Sequence, residues 1–181
     1  MSQTDTNSTS QYLTFLVADE EYAISILRVK EIIELPLLTA VPNTPIWIRG
    51  VINLRGRVVP VIDVAAKFGL AAREMTKFTC VVVAEVVSGG ETMVMGVIAD
   101  AVNEVIELGA DDIEPPPSFG TRVRTDYLEG MGKVGKKFCL ILNISKVLSA
   151  DELLTVNSVQ DGDPAEHANA ASESATAPQQ I

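Results

Sequence analysis

Two short phrases, VKEIIEL (29 to 35) and VNEVIEL (102 to 108), carry glutamates at matching places: Glu31 and Glu34 in the first, Glu104 and Glu107 in the second. Paired carboxylates are common equipment for general acid and base catalysis, because differing environments can make one the acid and the other the base. The plainer reading of the same spacing is a row of surface glutamates alternating with core aliphatics along a strand. A second stretch, GMGKVGKK (130 to 137), satisfies G-x-G-x-x-G through Gly130, Gly132 and Gly135. That motif binds phosphate where it opens a helix, whose first backbone N–H groups face the anion. Here the strand-like KFCLILNI follows, and Lys137 stands where a P-loop places Ser or Thr for magnesium, so nucleotide binding is not expected. The one histidine, His167, lies in a polar terminal stretch. A histidine-based triad, a phosphoaccepting histidine and a multi-histidine metal site are therefore not expected. Cys80 and Cys139 sit in apolar runs without C-x-x-C spacing and read as buried reduced thiols. No catalytic residue, metal ligand or cofactor is assigned.

The elements that would position these residues are written twice. YAISILRVKEIIEL (22 to 35) lies over MGVIADAVNEVIEL (95 to 108) without a gap, pairing Ile24 with Val97. WIRGVINLRGRVVPVIDV (47 to 64) then lies over YLEGMGKVGKKFCLILNI (127 to 144), pairing Trp47 with Tyr127, Gly50 with Gly130 and Asp63 with Asn143. The larger displacement of this second block places a longer loop in the second copy, at DDIEPPPSFGTR (111 to 122). The chain reads as a duplicated module of roughly 60 to 75 residues. Short β-branched runs broken by Gly, Pro and Asp predict strands. QYLTFLVADEEYAISI forms a hairpin about Asp19 to Glu21, GVINLRGRVVPVIDV one about Arg55-Gly56, and KFTCVVVAEV with ETMVMGVIADAV one about Ser88 to Gly90. Helix is expected only at SILRVKE, at DVAAKFG ending on Gly69, and at NISKVLSADELL, with Asp63 and Asn143 as helix caps. The fold class is all-β: two small barrels packed through an apolar seam, with a single ten-stranded sandwich as the alternative. The expected divisions are a disordered segment 1–11, a first barrel 12–70, a second barrel with closing helix 71–154, and a disordered acidic tail 155–181, strands being open to exchange between barrels.

Composition narrows the function. Of 181 residues, 47% are hydrophobic, enough for a real core. The formal charge is -10, but residues 149–181 hold Asp151, Glu152, Asp161, Asp163, Glu166 and Glu173 with no Lys or Arg, so the body is only mildly acidic. Basic residues occur in small groups such as Arg49/Arg55/Arg57, too few for a phosphate backbone, and no nucleic acid is expected. No run is long and apolar enough for a membrane span, and MSQTDTNSTSQ lacks the parts of a signal peptide. A cytoplasmic protein without direct membrane insertion is expected.

IRGVINLRGRVVPVIDV (48 to 64), preceded by YAISILRVKEII and VPNTPIW, resembles the CheW family of chemotaxis coupling proteins, through the spaced run Gly50, Asn53, Leu54, Arg55, Gly56, Pro60 and Asp63. The similarity spans approximately residues 11 to 150. It implies two five-stranded SH3-like barrels related by a pseudo-two-fold axis. It also implies an adaptor without enzymatic activity or cofactor, linking the cytoplasmic tips of transmembrane chemoreceptors to the regulatory domain of a CheA-type histidine kinase, in arrays at the inner face of the membrane. Carried residue by residue, it implies receptor contact at Val29, Glu31, Gly50 and Arg55, and kinase contact at Ile24, Val97 and Ile98. Each has a plainer role open to it: Val29, Ile24, Val97 and Ile98 as core, Gly50 as a permissive turn, Glu31 with Arg55 as a surface ion pair. The same fold serving a non-flagellar chemosensory system is the closest alternative, and a small enzyme using the repeated glutamates is the distant one.

Overall fold

The computed structural model describes residues 8–71, 73–116 and 125–161. Among the described residues eleven strands run in the order β1 Ser10–Val17, β2 Glu20–Ser25, β3 Val29–Glu34, β4 Ile48–Leu54, β5 Arg57–Ile62, β6 Cys80–Ser88, β7 Glu91–Ala99, β8 Ala101–Leu108, β9 Ile113–Glu114, β10 Leu128–Val134 and β11 Lys137–Leu142. Helices α1 (Val64–Lys67), α2 (Ile144–Val147) and α3 (Ala150–Asp161) follow β5 and β11. The strands form two curled sheets, β3-β6-β7-β5-β4 and β8-β1-β2-β11-β10-β9.

The duplication is visible strand by strand. In the first barrel β5 pairs β7 in parallel, Val61 against Gly96; in the second β11 pairs β2 in parallel, Ile141 against Ala23. The bridge between Thr39 and Val51 matches the short β9 pairing of Glu114 with Met131, which adds a sixth strand to the second sheet. The hairpins are exchanged: β1–β2 belongs by sequence to the first copy but lies in the second sheet, and β6–β7 does the reverse. Residue 70 thus divides the chain and not the sheets.

Most turns follow their residue chemistry. Gly89 and Gly90, at φ 59° and 83°, take the left-handed conformations of a two-residue hairpin turn. The first hairpin turns tightly on Ala18-Asp19, with Glu20 and Glu21 already in β2. Asp63 Oδ1 accepts the Ala66 N–H at 3.2 Å and Asn143 Oδ1 the Ser145 N–H at 3.1 Å, so both cap their helices. The helix expected at SILRVKE is one 3-10 turn, Ile26–Arg28. From Val29 the chain is strand, because Ile32 and Ile33 pair with Val82 and Val81 on β6 and long-range pairing overrides local preference. NISKVLSADELL splits into α2 and α3 at Leu148-Ser149. Ser10 and Gln11, placed in the disordered start, are strand residues facing Leu108 and Glu107, and α3 runs past residue 154 to Asp161. Residues 1–7, most of the acidic tail with His167, and 117–124 of the long loop lie outside the described residues.

One core cluster joins the barrels. Phe15, Tyr22 and Ile24 from the second sheet meet Val82, Met95 and Val97 from the first, and Leu153 and Val156 of α3 close it. Smaller clusters fill each barrel: Ile52, Val59, Val61, Val81, Val83 and Ile98 in the first, Tyr12, Ala23, Leu108, Cys139 and Ile141 in the second. Each large aliphatic side chain so buried contributes roughly 1.5 to 3 kcal/mol before the entropy of ordering is subtracted. This seam is what holds two modules of marginal size together.

Candidate functional site

β3 is an edge strand with a bulge at its start: Val29 packs against the central cluster, while past the bulge Glu31 and Ile33 turn to the first barrel's own cluster and Ile32 and Glu34 to the other face. Glu31 and Glu34 therefore face opposite sides and cannot address one substrate atom together. Glu31 lies across from Val83, just past a bulge in the β3–β6 pairing. The β4–β5 turn brings Arg55 to it. Asn53 Oδ1 accepts the Gly56 N–H at 2.9 Å and tightens that turn, while Arg55 adopts φ +52°. The guanidinium is bidentate on the carboxylate: Nη1 donates to Oε1 at 2.8 Å and Nη2 to Oε2 at 3.1 Å. The Arg55 side chain is 77% exposed and that of Glu31 25%. Beside the pair opens a hollow of about 150 Å³ lined by Leu54, Val59, Val83, Val94, Lys30 and Arg57. The arrangement is an oriented cationic fork above an aliphatic floor. It can hold a partner that offers an apolar side chain and a hydrogen-bond acceptor together.

Val29 is half-buried, lies two residues from Glu31 on β3 and packs against the central cluster. Gly50 is buried at φ +149°, where an added Cβ would fall 2.5 Å from the Thr39 carbonyl oxygen. Its place is set by the approach of two backbones rather than by a surface. Of the four implied receptor contacts, the fold joins Glu31 to Arg55, keeps Val29 on the strand of Glu31 and tucks Gly50 under residue 39. Of the three implied kinase contacts, Ile24 and Val97 are each 2% exposed and Ile98 5%, buried where β2 and β7 pair in parallel, with Ile98 also at the border of a hollow beside Arg49 and Asp63.

Apolar residues that are open to a partner lie elsewhere. Leu27, in the 3-10 turn that follows β2, is 86% exposed, and Leu37 and Ile46 in the loop before β4 are also exposed. Ile32 and Val105, matched residues of the edge strands β3 and β8, both point outward. Ile32 and Val105 were passed over because an apolar residue in a strand-like run looks like core, and Leu27 because SILRVKE reads as helix.

A second hollow, of about 270 Å³, is bordered by Arg49, Asp63, Arg73 and Asp100 around Val17, Ala65, Leu70 and Ile98. Arg49 Nε donates to Asp63 Oδ2 at 2.9 Å, and Asp100 accepts both the Arg73 guanidinium and the Ala18 N–H. Burial pushes the Cys80 and Cys139 thiols up, which keeps them protonated and poorly nucleophilic. Cys139 is buried and Cys80 half-buried. Among the described residues no group of three His, Cys, Asp or Glu gathers to hold a metal ion, and no helix is long and apolar enough to cross a membrane.

The model of the CheW-like domain matches residues 11–152. The chemotaxis protein CheW of Klebsiella aerogenes is 38% identical over 149 residues, covering 82% of this chain and 87% of that protein. The protein FrzA of Myxococcus xanthus is 31% identical over 139 residues, covering 76% and 84%. The crystal structure of the scaffolding protein TtCheW from Thermoanaerobacter tengcongensis superposes with a TM-score of 0.71 at 34% identity, covering 79% of this chain and 94% of that one. The exchanged hairpins, the doubled barrel and the matched stretch coincide along the same residues, and the chain belongs to the CheW-like domain family.

Proposed function

We propose that this chain is a non-catalytic adaptor that couples transmembrane chemoreceptors to a CheA-type histidine kinase in chemotaxis signalling, working in the cytoplasm at the inner face of the membrane. The observation that carries the reading is the Glu31–Arg55 pair over its aliphatic hollow. An ion pair this exposed stabilises a fold by under about 1 kcal/mol. A left-handed conformation at a non-glycine residue costs about as much. Stability alone therefore gives no account of Arg55, whereas a partner that covers the pair and excludes water strengthens every bond the fork makes. A receptor tip, a helical hairpin with an apolar face, supplies the kind of surface that fits such a hollow. Similarity to proteins named for chemotaxis and for scaffolding supports the choice of partners.

For the kinase contact, the exposed 3-10 turn at Ile26–Arg28 takes the place of buried Ile24. Leu27 is the anchor available there. The test is capture by the tagged chain of a receptor cytoplasmic fragment and of the kinase regulatory domain from the same genome, both purified. Arg55→Glu is expected to lose the receptor fragment and keep the kinase domain, and Leu27→Asp to do the reverse, with both variants melting like the parent. Binding of neither partner by the parent chain overturns the adaptor reading.

A further inference from the structure

We propose that two copies of this chain pair across a two-fold axis through a charged cleft of the second barrel, the lysines of each copy meeting the carboxylates of the other. The inference stands apart from the receptor reading, since the cleft shares no lining residue with the Glu31–Arg55 hollow.

The cleft follows from the strand pairing. β2 and β11 run parallel but pair only at Tyr22 with Leu140 and Ala23 with Ile141. Before those residues each strand keeps its hairpin partner alone: Glu20 and Glu21 lie against Val17 and Leu16, and Lys137 and Phe138 against Val134 and Lys133. The two strand starts are therefore not bonded to each other, and a gap of about 530 Å³ opens between them. Asp19, Glu20 and Glu21 border it from the β2 side, Lys136, Lys137 and Phe138 from the β11 side. Glu20 accepts the Tyr22 hydroxyl and Glu21 the Asn103 amide. Among the described residues no carboxylate forms an ion pair with Lys136 or Lys137. Phe138 beside them is 48% exposed.

An acidic wall and a basic wall that do not satisfy each other fit a partner carrying the same two signs in reverse order. A second copy does so by symmetry. Half a turn about an axis along the gap lays the acidic wall of each copy over the basic wall of the other, so every pair is made twice. Lysine stems are long enough to cross into the partner's gap while covering exposed Phe138 with hydrocarbon. The formal charge of -10 opposes self-association. Charges more than about 8 Å apart are screened at physiological ionic strength, however, whereas groups brought into contact and covered are screened much less.

The test is sedimentation equilibrium of the full chain across a concentration series, with circular dichroism melts to show that each variant is folded. The wild type is expected to pass from monomer to dimer. Lys136→Glu with Lys137→Glu makes both walls acidic, and Glu20→Lys with Glu21→Lys makes both basic apart from Asp19. Each double variant alone is expected to dimerise about tenfold or more weakly. Mixed in equal amounts, the two are expected to form a heterodimer at least as tight as the wild-type dimer, because the facing walls are again opposite in sign. Phe138→Ser leaves the charges alone and is expected to weaken the dimer as well. A wild type that stays monomeric, or that grows into open chains larger than a dimer, overturns the proposal. So does a dimer unchanged in either double variant or in Phe138→Ser, or a mixture of the two folded double variants that stays monomeric.

Discussion

Thr14 is fully buried, yet it lies in the middle of an otherwise apolar strand. Its hydroxyl donates to the Glu104 carbonyl at 2.9 Å and accepts the Glu104 N–H at 3.2 Å, taking the place of the backbone partner that the β1–β8 bulge removes. Thr14→Val keeps the volume and strands both backbone groups, so a loss of roughly 1 to 2 kcal/mol is expected by urea unfolding. Unchanged stability would mean that water replaces the hydroxyl along the edge strand β8. Gly50 admits a harsher test. Its Cβ position lies 2.5 Å from the Thr39 carbonyl oxygen, and at the duplicate Gly130 the clash is with the Glu114 carbonyl oxygen at 2.7 Å. Gly50→Ala is expected to cost about 2 to 4 kcal/mol and to lower the melting temperature, even with no partner present. A variant that melts normally but fails to bind would return Gly50 to the interface. At this scale the sequence was only partly legible. The Glu31–Arg55 ion pair was open to view as a plain surface pairing, but not the left-handed turn at Arg55 that aims it, and an alternating apolar pattern at Ile24, Val97 and Ile98 suits core and interface equally well.

The helix α3 shows how an element is fastened. Glu152 is the third residue after Ser149; its carboxylate accepts the Ser149 N–H at 2.7 Å while Ser149 Oγ accepts the Glu152 N–H at 3.3 Å, a reciprocal cap. The same carboxylate meets Lys67 of α1, which also stands 5.3 Å from the Trp47 ring centroid. Burial acts to raise the Glu152 pKa, but the bonds from Lys67 and Ser149 outweigh it and hold the group below its usual 4.5. A depressed folded-state pKa gives stability that is present above pH 4.5 and lost as the pH falls through the folded value. Glu152→Gln is expected to lower stability by roughly 1 to 2 kcal/mol at pH 7. Thermal melts at pH 3 should show the gap to wild type closing, and a gap that stays constant with pH would remove the ion pair from the account. Elements were the most legible level. Gly89-Gly90, Arg55-Gly56 and the caps Asp63 and Asn143 each act through local chemistry. The helix read into SILRVKE failed because its second half is claimed by β6, about fifty residues away, a distance over which local pattern carries no information.

At the scale of the whole molecule, the repeat announced two like modules but not how they are cut. β1–β2 pairs with β8 and β11, and β5 pairs with β7, so each barrel is closed by a hairpin from the other copy. Nothing in either copy's own residues distinguishes closing on itself from closing on its twin, since the two hairpins meet matching strands. The consequence is thermodynamic. Phe15 and Tyr22 share one core with Met95 and Val97, and Leu153 with Val156 seals it, so neither barrel can open without exposing the seam. Unfolding is expected as a single cooperative transition with coincident fluorescence and circular dichroism curves, despite two barrels. A fragment of residues 1–71 keeps the hairpins β1–β2 and β4–β5 but lacks β6, β7, β8 and β11, on which β3, β5, β1 and β2 pair, and it should be unstructured alone. Mixed with residues 72–181 it should regain the β-sheet spectrum, because the partner fragment carries β6–β7 for the first barrel and β8 to β11 for the second. Two separate transitions, or a fragment 1–71 that folds unaided, would show that each copy can close on its own hairpin and that the exchange is one of two near-equal arrangements.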